Sequence, residues 1–455
     1  MIELLRRTAR QDADRPAIVL DEYTRSYGEL VRAAESVAGD LTARGIRRFA
    51  SVEHDAATAV ALFAGAALAG AEACQYPPMS GDPGGADDII TLAHRFDHDV
   101  IVTAGALDLP GISCVAATEL TAAEPAAVNP PEHRPHLVLT TGTTGTPRGV
   151  RHDWNRLLRA TKRIAPGPGQ RWLLAYGLHQ FAGLQLLLHV FAAGATLVAP
   201  APRRPREGLA AMRAHGVTHA SATPTYWRFL LAELRADGGP VPPLVQLTLG
   251  GEAIPGPLLD ELAGTFPSAH VSQVYAASEF GSTGSVRDGR SGLALEVLER
   301  GEDADVAMKI VDGELWVRSR VGMLGYYGEP AVDADSWRAT GDLVEIVGGR
   351  IQFRGRSSEI INVGGVKVHP LPIEELVATV PGVALARAFG RPNPLTGAIV
   401  ALEVVPAAGA DQAVVGAAIR RACAELPAAA RPRSIRFVHA IATAGDKIAR
   451  ASAHE

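Results

Sequence analysis

One segment restricts the possible fold and chemistry of this 455-residue chain more than any other, the stretch LVLTTGTTGTPRGV at residues 137–150. It begins as an apolar strand, residues 137–139, and continues as a loop with three glycines and five threonines. Glycines let main-chain N–H groups approach an anion closely, and threonine hydroxyls supply further donors. The segment therefore predicts a loop that binds polyphosphate, and the alternative is a Gly/Thr turn between a strand and a helix.

The spacing of this loop excludes the P-loop NTPase pattern G-x-x-x-x-G-K-[ST], because Gly145 is followed by Thr146, Pro147 and Arg148. The loop resembles the phosphate-binding signature of the adenylate-forming (ANL) superfamily, which includes acyl-CoA synthetases, nonribosomal peptide synthetase adenylation domains and luciferases. Arg148 stands where that family usually has lysine, so a planar fork replaces a point charge. The resemblance implies that ATP phosphates are bound by a run of adjacent residues: Thr140, Thr141, Gly142, Thr143, Thr144 and Gly145.

The string VYAASEFGS resembles the family's adenine and magnesium motif. The resemblance places Tyr275 against adenine and puts Ala276 and Ser278 beside the nucleotide. It makes Glu279 a magnesium ligand together with Thr140. In isolation, a tyrosine and an acid after a strand are more often a core aromatic and a solvated carboxylate.

Two further strings flank this motif in the family's order. LGGEAIP resembles the Gly-Gly-Glu turn, whose backbone at Gly250, Gly251 and Glu252 would lie beside adenine or the acyl group. WRATGDL resembles the Thr-Gly-Asp motif, so Asp342 would accept hydrogen bonds from the ribose hydroxyls. A carboxylate has the lone pairs to bind two vicinal hydroxyls.

The string GRSSEIINVGGVKVHPLPIEE resembles the family's hinge and the start of its small lobe. The resemblance implies that Arg356 contacts the ribose or the α-phosphate. Ser358 would be the hinge, where relatives have Asp or Lys, and a small polar residue can absorb the change in backbone angles. Gly364 and Gly365 would line the tunnel for a thiol nucleophile, and Lys367 would lie near phosphate.

The string IATAGDKIAR resembles the C-terminal Gly-Lys-Ile-x-Arg motif, with Asp446 in place of the usual glycine. Lys447 would then bridge the substrate carboxylate and the α-phosphate. With Glu279 and Arg148 it forms the predicted catalytic set. The motifs run in family order from a Ser-Tyr-Gly-Glu-Leu segment at Ser26 to this lysine, so the resemblance covers nearly the whole chain.

The acid-binding pocket is expected in AYGLHQFAGLQ, residues 175–185, where the resemblance points to His179, Phe181 and Gly183, together with Tyr226. This stretch lacks the Phe-Asp pair with which amino-acid-activating relatives hold an α-ammonium group. It resembles the equivalent segment of aryl- and succinylbenzoate-type CoA ligases. An aryl or small acyl substrate is therefore expected, and His179 is either a pocket residue or a hydrogen-bonded core histidine.

The remaining pattern predicts an α/β fold with a large N-terminal lobe, residues 1–354, and a small mobile α+β domain, residues 355–455. Short apolar runs bounded by Pro or Gly alternate with helix-like segments in the large lobe. Between residues 309 and 356 an Asp-Gly and a Gly-Gly pair predict two β-hairpins. A strand at residues 359–363, a helix near Pro372 and strands at 383–389 and 398–404 are expected to follow.

Composition excludes several other classes. The formal net charge is -5, which gives no basic excess for nucleic acid. The three cysteines are far apart and predict neither disulfides nor a zinc site. No signal peptide is recognised, and the apolar stretch at residues 56–71 is too short to span a membrane, so a buried helix and a cytoplasmic protein are expected.

Together these features predict an enzyme that adenylates a carboxylic acid with ATP and Mg²⁺, releases pyrophosphate and passes the acyl group to a thiol. The acceptor is coenzyme A or the phosphopantetheine of a carrier protein. Two alternatives stay open: an enzyme that activates another oxyacid or uses an amine acceptor, and a non-catalytic nucleotide-binding homologue. Homodimers are common in such families, but no interface is predicted.

Overall fold

A computed structural model describes residues 1–78, 85–125, 128–141 and 147–441, and the short strands Thr443–Ala444 and Lys447–Ile448. Within these residues, three sheets form a large N-terminal domain and a fourth belongs to a smaller C-terminal domain. Helices pack on the first two sheets of the large domain and on the sheet of the small domain. The mixed α/β fold class expected from the sequence is confirmed.

The first sheet of the large domain is built around parallel strands β1 and β9 to β13, which the sequence encodes as short, buried apolar runs. An antiparallel strand closes each edge. In spatial order the strands are β14 (Gly281–Val286), β13 (His270–Ala277), β12 (Gln246–Gly250), β11 (His219–Ala222), β9 (Arg171–Leu174), β10 (Thr196–Val198), β1 (Pro16–Val19) and β2 (Thr24–Ser26).

The second sheet contains the strand that precedes the predicted phosphate loop. That strand, β7, pairs antiparallel with β8, so the two strands flank the loop as a hairpin. In spatial order the strands are β18 (Gly325–Tyr326), β8 (Pro147–Asp153), β7 (Pro135–Thr141), β4 (Glu72–Gln75), β3 (Arg48–Ser51), β5 (Val100–Thr103) and β6 (Ser113–Ala116).

The third sheet is antiparallel and contains both predicted hairpins. Asp312 and Gly313 make the first turn, and both have positive φ angles; Gly348 and Gly349 make the second and also have positive φ. Such backbone angles are the ones that tight hairpin turns require. In spatial order the strands are β15 (Leu293–Ala294), β20 (Arg350–Arg356), β19 (Arg338–Val347), β17 (Glu314–Ser319) and β16 (Val306–Val311).

Capping hydrogen bonds and small residues shape the helices and their contacts with one another. Ser26 caps α2 by a capping box with Glu29, and a Cβ on Gly65 of α3 would lie 2.6 Å from Val37 of α2. The apolar stretch expected to be a buried helix is α3, and its residues are almost all buried. The helices are α1 (Ile2–Gln11), α2 (Tyr27–Ala43), α3 (Ala56–Ala69), α4 (Gly85–Arg95), α5 (Ala117–Ala122), α6 (Trp154–Arg159), α7 (Phe181–Ala193), α8 (Pro205–Ala214), α9 (Pro224–Asp237), α10 (Gly256–Thr265), α11 (Pro370–Ala378) and α12 (Gln412–Ala422).

The small domain has its own sheet and apolar core. Its first strand begins later than the sequence predicts, because Ser357–Glu359 form a 3-10 turn, and α11 begins at Pro370, two residues before the predicted start. The change of sheet falls between β20 and β21, and a boundary at residue 354 stays a prediction. The strands are β22 (Val366–Val368), β21 (Ile361–Val363), β24 (Gly397–Pro406), β23 (Val383–Asn393) and β25 (Ser434–Phe437).

The last two strands, β26 (Thr443–Ala444) and β27 (Lys447–Ile448), form a hairpin of their own. No helix in the described part of the chain has the length and apolar character that a bilayer span requires.

Candidate active site

Several predicted site segments lie at one edge of the first sheet. The strands β9, β11, β12 and β13 are parallel, so their carboxyl ends meet at the same edge. The acid-pocket segment follows β9, Tyr226 follows β11, the Gly-Gly-Glu turn ends β12, and Glu279 follows β13. Ligands of open α/β sheets bind at this edge.

A hydrogen-bonded pair joins the first and third sheets at this edge. The hydroxyl of Tyr275 donates to Oδ2 of Asp342 at 2.5 Å, and Nε of Arg356 lies 3.2 Å from Oδ1 of the same carboxylate. Burial, and then the Asp342 carboxylate, raise the pKa of Tyr275, so its hydroxyl keeps the proton that it donates. The ring of Phe353 lies 5.1 Å from that of Tyr275. The carboxylate keeps lone pairs for ribose hydroxyls.

Glu279 is held by contacts to its backbone and to its side chain. Its carbonyl oxygen accepts hydrogen bonds from Nη2 of Arg338 at 3.2 Å and from the N–H of Met323 at 3.0 Å. Its Oε1 accepts from the hydroxyl of Tyr326 at 2.9 Å. Among the described residues no other hydrogen bond reaches this carboxylate, so Oε2 can accept a further ligand.

Arg148 lies on the face of the same tyrosine. Its guanidinium carbon is 3.4 Å from the centroid of the Tyr326 ring, and its Nη2 pairs with Oε1 of Glu329 at 2.6 Å. Both charged side chains are exposed, and such ion pairs contribute little stability. A phosphate can therefore replace Glu329 as the partner of the Arg148 guanidinium with little loss of folding stability. Thr140 donates to the carbonyl oxygen of Arg148 at 3.4 Å, which fixes the hairpin below the loop.

Part of the predicted phosphate site lies outside the described residues. This holds for Gly142, Thr143, Thr144 and Gly145, and for the side chains of Thr141 and Lys447. Their assigned roles stay predictions.

The donor set fits magnesium that is held jointly with phosphates. Mg²⁺ is usually bound by one or two carboxylates, with phosphate and water oxygens as the remaining ligands. In the described part of the chain no group of three or more His, Cys, Asp or Glu side chains could hold a metal. Glu279, with Oε1 fixed by Tyr326, suits the role of a single protein carboxylate.

The Gly-Gly-Glu turn needs its glycines. A Cβ on Gly250 would lie 3.0 Å from the carbonyl oxygen of Val274, and Gly251 has a φ of +86°. The carboxylate of Glu252 accepts hydrogen bonds from the N–H and the hydroxyl of Thr225, at 3.0 and 3.1 Å. The Glu252 side chain therefore anchors the start of α9. The backbone of Gly250 lies beside Val274, the first residue of the predicted adenine motif.

The predicted acid-pocket residues are buried and closely packed. Burial, and then the nearby His54 and Arg203 side chains, lower the pKa of His179 to about 4, so its imidazole is neutral near pH 7. Phe181 is the first residue of α7, and its ring stacks on that of His152 with centroids 5.0 Å apart. A Cβ on Gly183 would lie 2.3 Å from the carbonyl oxygen of Gly177, so only glycine fits.

Tyr226 lies in the first turn of α9 and is buried. Its hydroxyl donates to the carbonyl oxygen of Arg204 at 3.4 Å, which directs the phenol toward the start of α8. The structure therefore supports a buried, largely apolar environment for the pocket candidates.

The small domain presents the predicted thiol-tunnel glycines on the turn of the β21–β22 hairpin. Gly364 and Gly365 have φ angles of +58° and +87°, which disfavour any residue with a Cβ. Lys367 is exposed on β22, and Ser358 lies in the 3-10 turn after β20. These positions are compatible with the predicted tunnel and hinge, which stay predictions.

Comparison with known families decides the relationship. Residues 5–327 match the family described as AMP-binding enzyme, and residues 372–444 match the AMP-binding enzyme C-terminal domain. This chain belongs to the AMP-binding enzymes.

Relatives of this AMP-binding enzyme include ligases with different acids and acceptors. Fatty acid–[acyl-carrier-protein] ligase MmaC of Mycobacterium marinum is 30% identical and covers 70% of this chain and 67% of its own. 2-Succinylbenzoate–CoA ligase of Salmonella typhimurium is 28% identical over 82% of this chain and 80% of the ligase's own length. The crystal structure of the anthranilate CoA ligase AuaEII with anthranoyl-AMP superposes on this chain with a TM-score of 0.85 at 19% sequence identity. The superposition covers 99% of this chain and 95% of AuaEII, which shows that the two proteins share a fold.

Three residues of the candidate site in this AMP-binding enzyme were not predicted from the sequence. Tyr326 contacts both Glu279 and Arg148, Arg338 holds the Glu279 backbone, and Phe353 packs on Tyr275. Tyr326 belongs to a Gly-Tyr-Tyr-Gly string, and nothing in that string tells which tyrosine faces the site. The antiparallel pairing of β18 with β8 selects it.

Proposed function

We propose that this AMP-binding enzyme joins a carboxylic acid to ATP, forming an acyl-adenylate and pyrophosphate, and then transfers the acyl group to a thiol. The observation that carries the proposal is the position of Tyr326, which joins the Glu279 carboxylate to the Arg148 guanidinium. This arrangement holds a magnesium ligand and a phosphate ligand next to each other. A second pair, Tyr275 with Asp342, offers a carboxylate to a ribose on the same sheet edge.

In the first step a carboxylate oxygen of the acid bonds to the α-phosphorus, and the bond to the β-phosphate oxygen breaks as pyrophosphate leaves. Acid and ATP carry like charges, so the protein has to neutralise both while it aligns them. Arg148 and Lys447 supply positive charge in this proposal, and Glu279 would hold a magnesium ion that supplies further positive charge to the phosphates. Arg356 and Asp342 position the ribose and the α-phosphate.

In the second step the sulfur of a thiol bonds to the acyl carbon, and the bond from that carbon to the AMP oxygen breaks. AMP leaves with the bonding electron pair, and the thiol proton passes to solvent. The small domain turns about Ser358 between the steps in this proposal, so that Gly364 and Gly365 face the thiol and Lys367 lies near phosphate. Domain rotation of this kind is a common way to separate two half-reactions.

An aryl or small acyl group is the proposed substrate class. Phe181 and Tyr226 offer aromatic surface, and a neutral His179 can donate or accept a hydrogen bond with a polar substituent. The buried segment carries no carboxylate that would hold an α-ammonium group. The relatives named above act on a fatty acid and on 2-succinylbenzoate.

The test is ATP–pyrophosphate exchange with a panel of aryl, short-chain and amino acids, followed by thioester formation with coenzyme A or a holo-carrier protein. We expect exchange that depends on an aryl or small acid and on Mg²⁺. Lys447→Ala should lose exchange by several orders of magnitude and still bind ATP, because the lysine acts in bond formation.

Unchanged exchange in Lys447→Ala would remove that residue from the mechanism. Bound ATP with no exchange for any acid would instead favour another oxyacid or a non-catalytic homologue. The cytoplasmic location expected from the sequence, and the association state, stay predictions.

A further inference from the structure

Two neighbouring turns of the small domain expose apolar side chains beside the Gly364–Gly365 pair. Val366, just after the glycines, has a relative exposure of 52%, and Leu395, at the tip of the β23–β24 hairpin, has 93%. The two turns touch, because the N–H of Gly364 donates to the carbonyl oxygen of Thr396 at 2.8 Å. One surface therefore contains the predicted thiol entrance and two apolar side chains in water.

Hydrogen bonds hold both turns in place. Oδ1 of Asn393 accepts from the N–H groups of Leu395 and Thr396, at 3.0 and 3.1 Å, and from the Thr396 hydroxyl at 3.2 Å. Oδ1 of Asn362 accepts from the N–H of Gly365 at 2.9 Å. Because the backbone is already fixed, burying Leu395 and Val366 against a partner would cost little ordering entropy.

The chain segments at these two turns carry basic residues and no acidic ones. Residues 357–441 contain eight Lys or Arg and six Asp or Glu, although the whole chain has 44 and 49. No Asp or Glu occurs at residues 360–373, which contain the first hairpin, or at residues 388–402, the half of the second hairpin nearest its turn. Lys367, Arg391 and Arg433 are exposed, and Arg391 reaches Ser434, the residue after Arg433, with Nη1 3.4 Å from Oγ.

We propose that this hairpin surface, formed by Gly364–Val366, Leu395, Arg391 and Arg433, docks an acidic carrier protein whose phosphopantetheine supplies the acceptor thiol. The inference rests on the proposed function and names its partner. Leu395 and Val366 form the apolar anchor, and the exposed arginines attract the acidic protein. A phosphopantetheine arm would enter beside Gly364 and Gly365.

A protein fits this surface better than the other occupants. The phosphates of coenzyme A would pair with the arginines but would leave the exposed leucine in water. A second copy of this chain would bring an equally basic surface, and like charges across a symmetric contact repel. An acidic protein satisfies both the apolar and the cationic parts.

The experiment compares wild type with Leu395→Asp and Arg391→Glu. Binding of a panel of bacterial holo-carrier proteins is measured by calorimetry, and thioester formation is measured on those proteins and on coenzyme A. Wild type should prefer a carrier protein. We expect Leu395→Asp to weaken carrier binding and transfer about tenfold, as for an interface anchor, and to leave transfer to coenzyme A unchanged. Arg391→Glu should weaken binding more at low salt than at high salt.

Val414→Asp is the matched control, because Val414 is 63% exposed on α12, outside the hairpin surface. Equal losses in Val414→Asp and Leu395→Asp overturn the proposal. Faster transfer to coenzyme A than to every carrier protein also overturns it. Pyrophosphate exchange in the same preparations tests the proposed function separately from the docking surface. Absence of exchange contradicts the proposed function, and carrier-protein binding tests the surface independently of exchange.

Discussion

The link from Glu279 through Tyr326 to Arg148 gives a quantitative prediction. Tyr326→Phe removes the 2.9 Å hydrogen bond to the Glu279 carboxylate and keeps the ring that Arg148 covers at 3.4 Å. Hydrogen bonds to charged groups contribute about 1.5–3 kcal/mol, and about 1.4 kcal/mol corresponds to a tenfold change in rate. Because bound magnesium also orients the carboxylate, we expect the lower end, a fall of about tenfold in kcat/KM for MgATP.

The assay is acid-dependent ATP–pyrophosphate exchange over a range of Mg²⁺ concentrations. The half-saturating Mg²⁺ concentration should rise in Tyr326→Phe, because the carboxylate that binds the ion is less well oriented. Tyr326→Leu should lose more activity, since it also removes the ring beneath Arg148.

Tyr327→Phe is the matched control for this prediction. Its hydroxyl also donates to a carboxylate, Asp97 at 2.6 Å, but on an exposed surface away from Glu279. Tyr327→Phe should therefore leave exchange unchanged. Wild-type Mg²⁺ dependence in Tyr326→Phe, or an equal loss in both variants, would refute the reasoning.

Three further predictions concern other parts of the protein. Gly365→Trp should block thioester formation, because the indole would fill the predicted tunnel, and should spare pyrophosphate exchange, because the strain of a Cβ at φ +87° falls in an exposed turn with no atom within 4 Å; equal loss of both steps would contradict the tunnel assignment. Gly183→Ala should raise KM for the acid about tenfold and leave KM for ATP unchanged, since overpacking costs about 1–3 kcal/mol; a shifted KM for ATP alone would contradict the pocket assignment. Burial lowers the pKa of His136 and of His152 to about 3, from 6.5, so the unfolded chain binds more protons and the free energy of unfolding should fall as pH drops from 6.5 toward 3. In urea titrations at several pH values, His152→Phe should reduce that slope by about one proton; an unchanged slope would show that His152 already titrates in the folded state.

The sequence predicted local features of the fold well where one residue type determines the geometry. The two hairpin turns expected between residues 309 and 356 form at Asp312–Gly313 and Gly348–Gly349, where positive φ angles are needed. Strand ends were less predictable. The start of β21 moved to Ile361 because the preceding residues form a 3-10 turn, and the apolar pattern of that segment contains no signal for such a turn.

Motif order predicted which segments meet, but not the contacts between side chains from different sheets. Tyr275 and Asp342 were both assigned to the nucleotide, and their direct hydrogen bond depends on how the third sheet packs on the first. Tyr326 lies in none of the recognised motifs. Its place in the site results from the pairing of β18 with β8. Contacts of this kind follow from tertiary packing and have no periodic pattern in the sequence.

Residues from three sheets converge on the candidate nucleotide site. Tyr275 comes from the first, Arg148 and Tyr326 from the second and Asp342 from the third. A nucleotide that contacts all of them can bind only while the three sheets remain docked, so its binding free energy opposes their separation as one cooperative unit. At 100 times its Kd such a ligand adds about 2.7 kcal/mol to the free energy of unfolding. Amide hydrogen exchange that proceeds by sheet separation should therefore slow in all three sheets together, including strands far from the ligand.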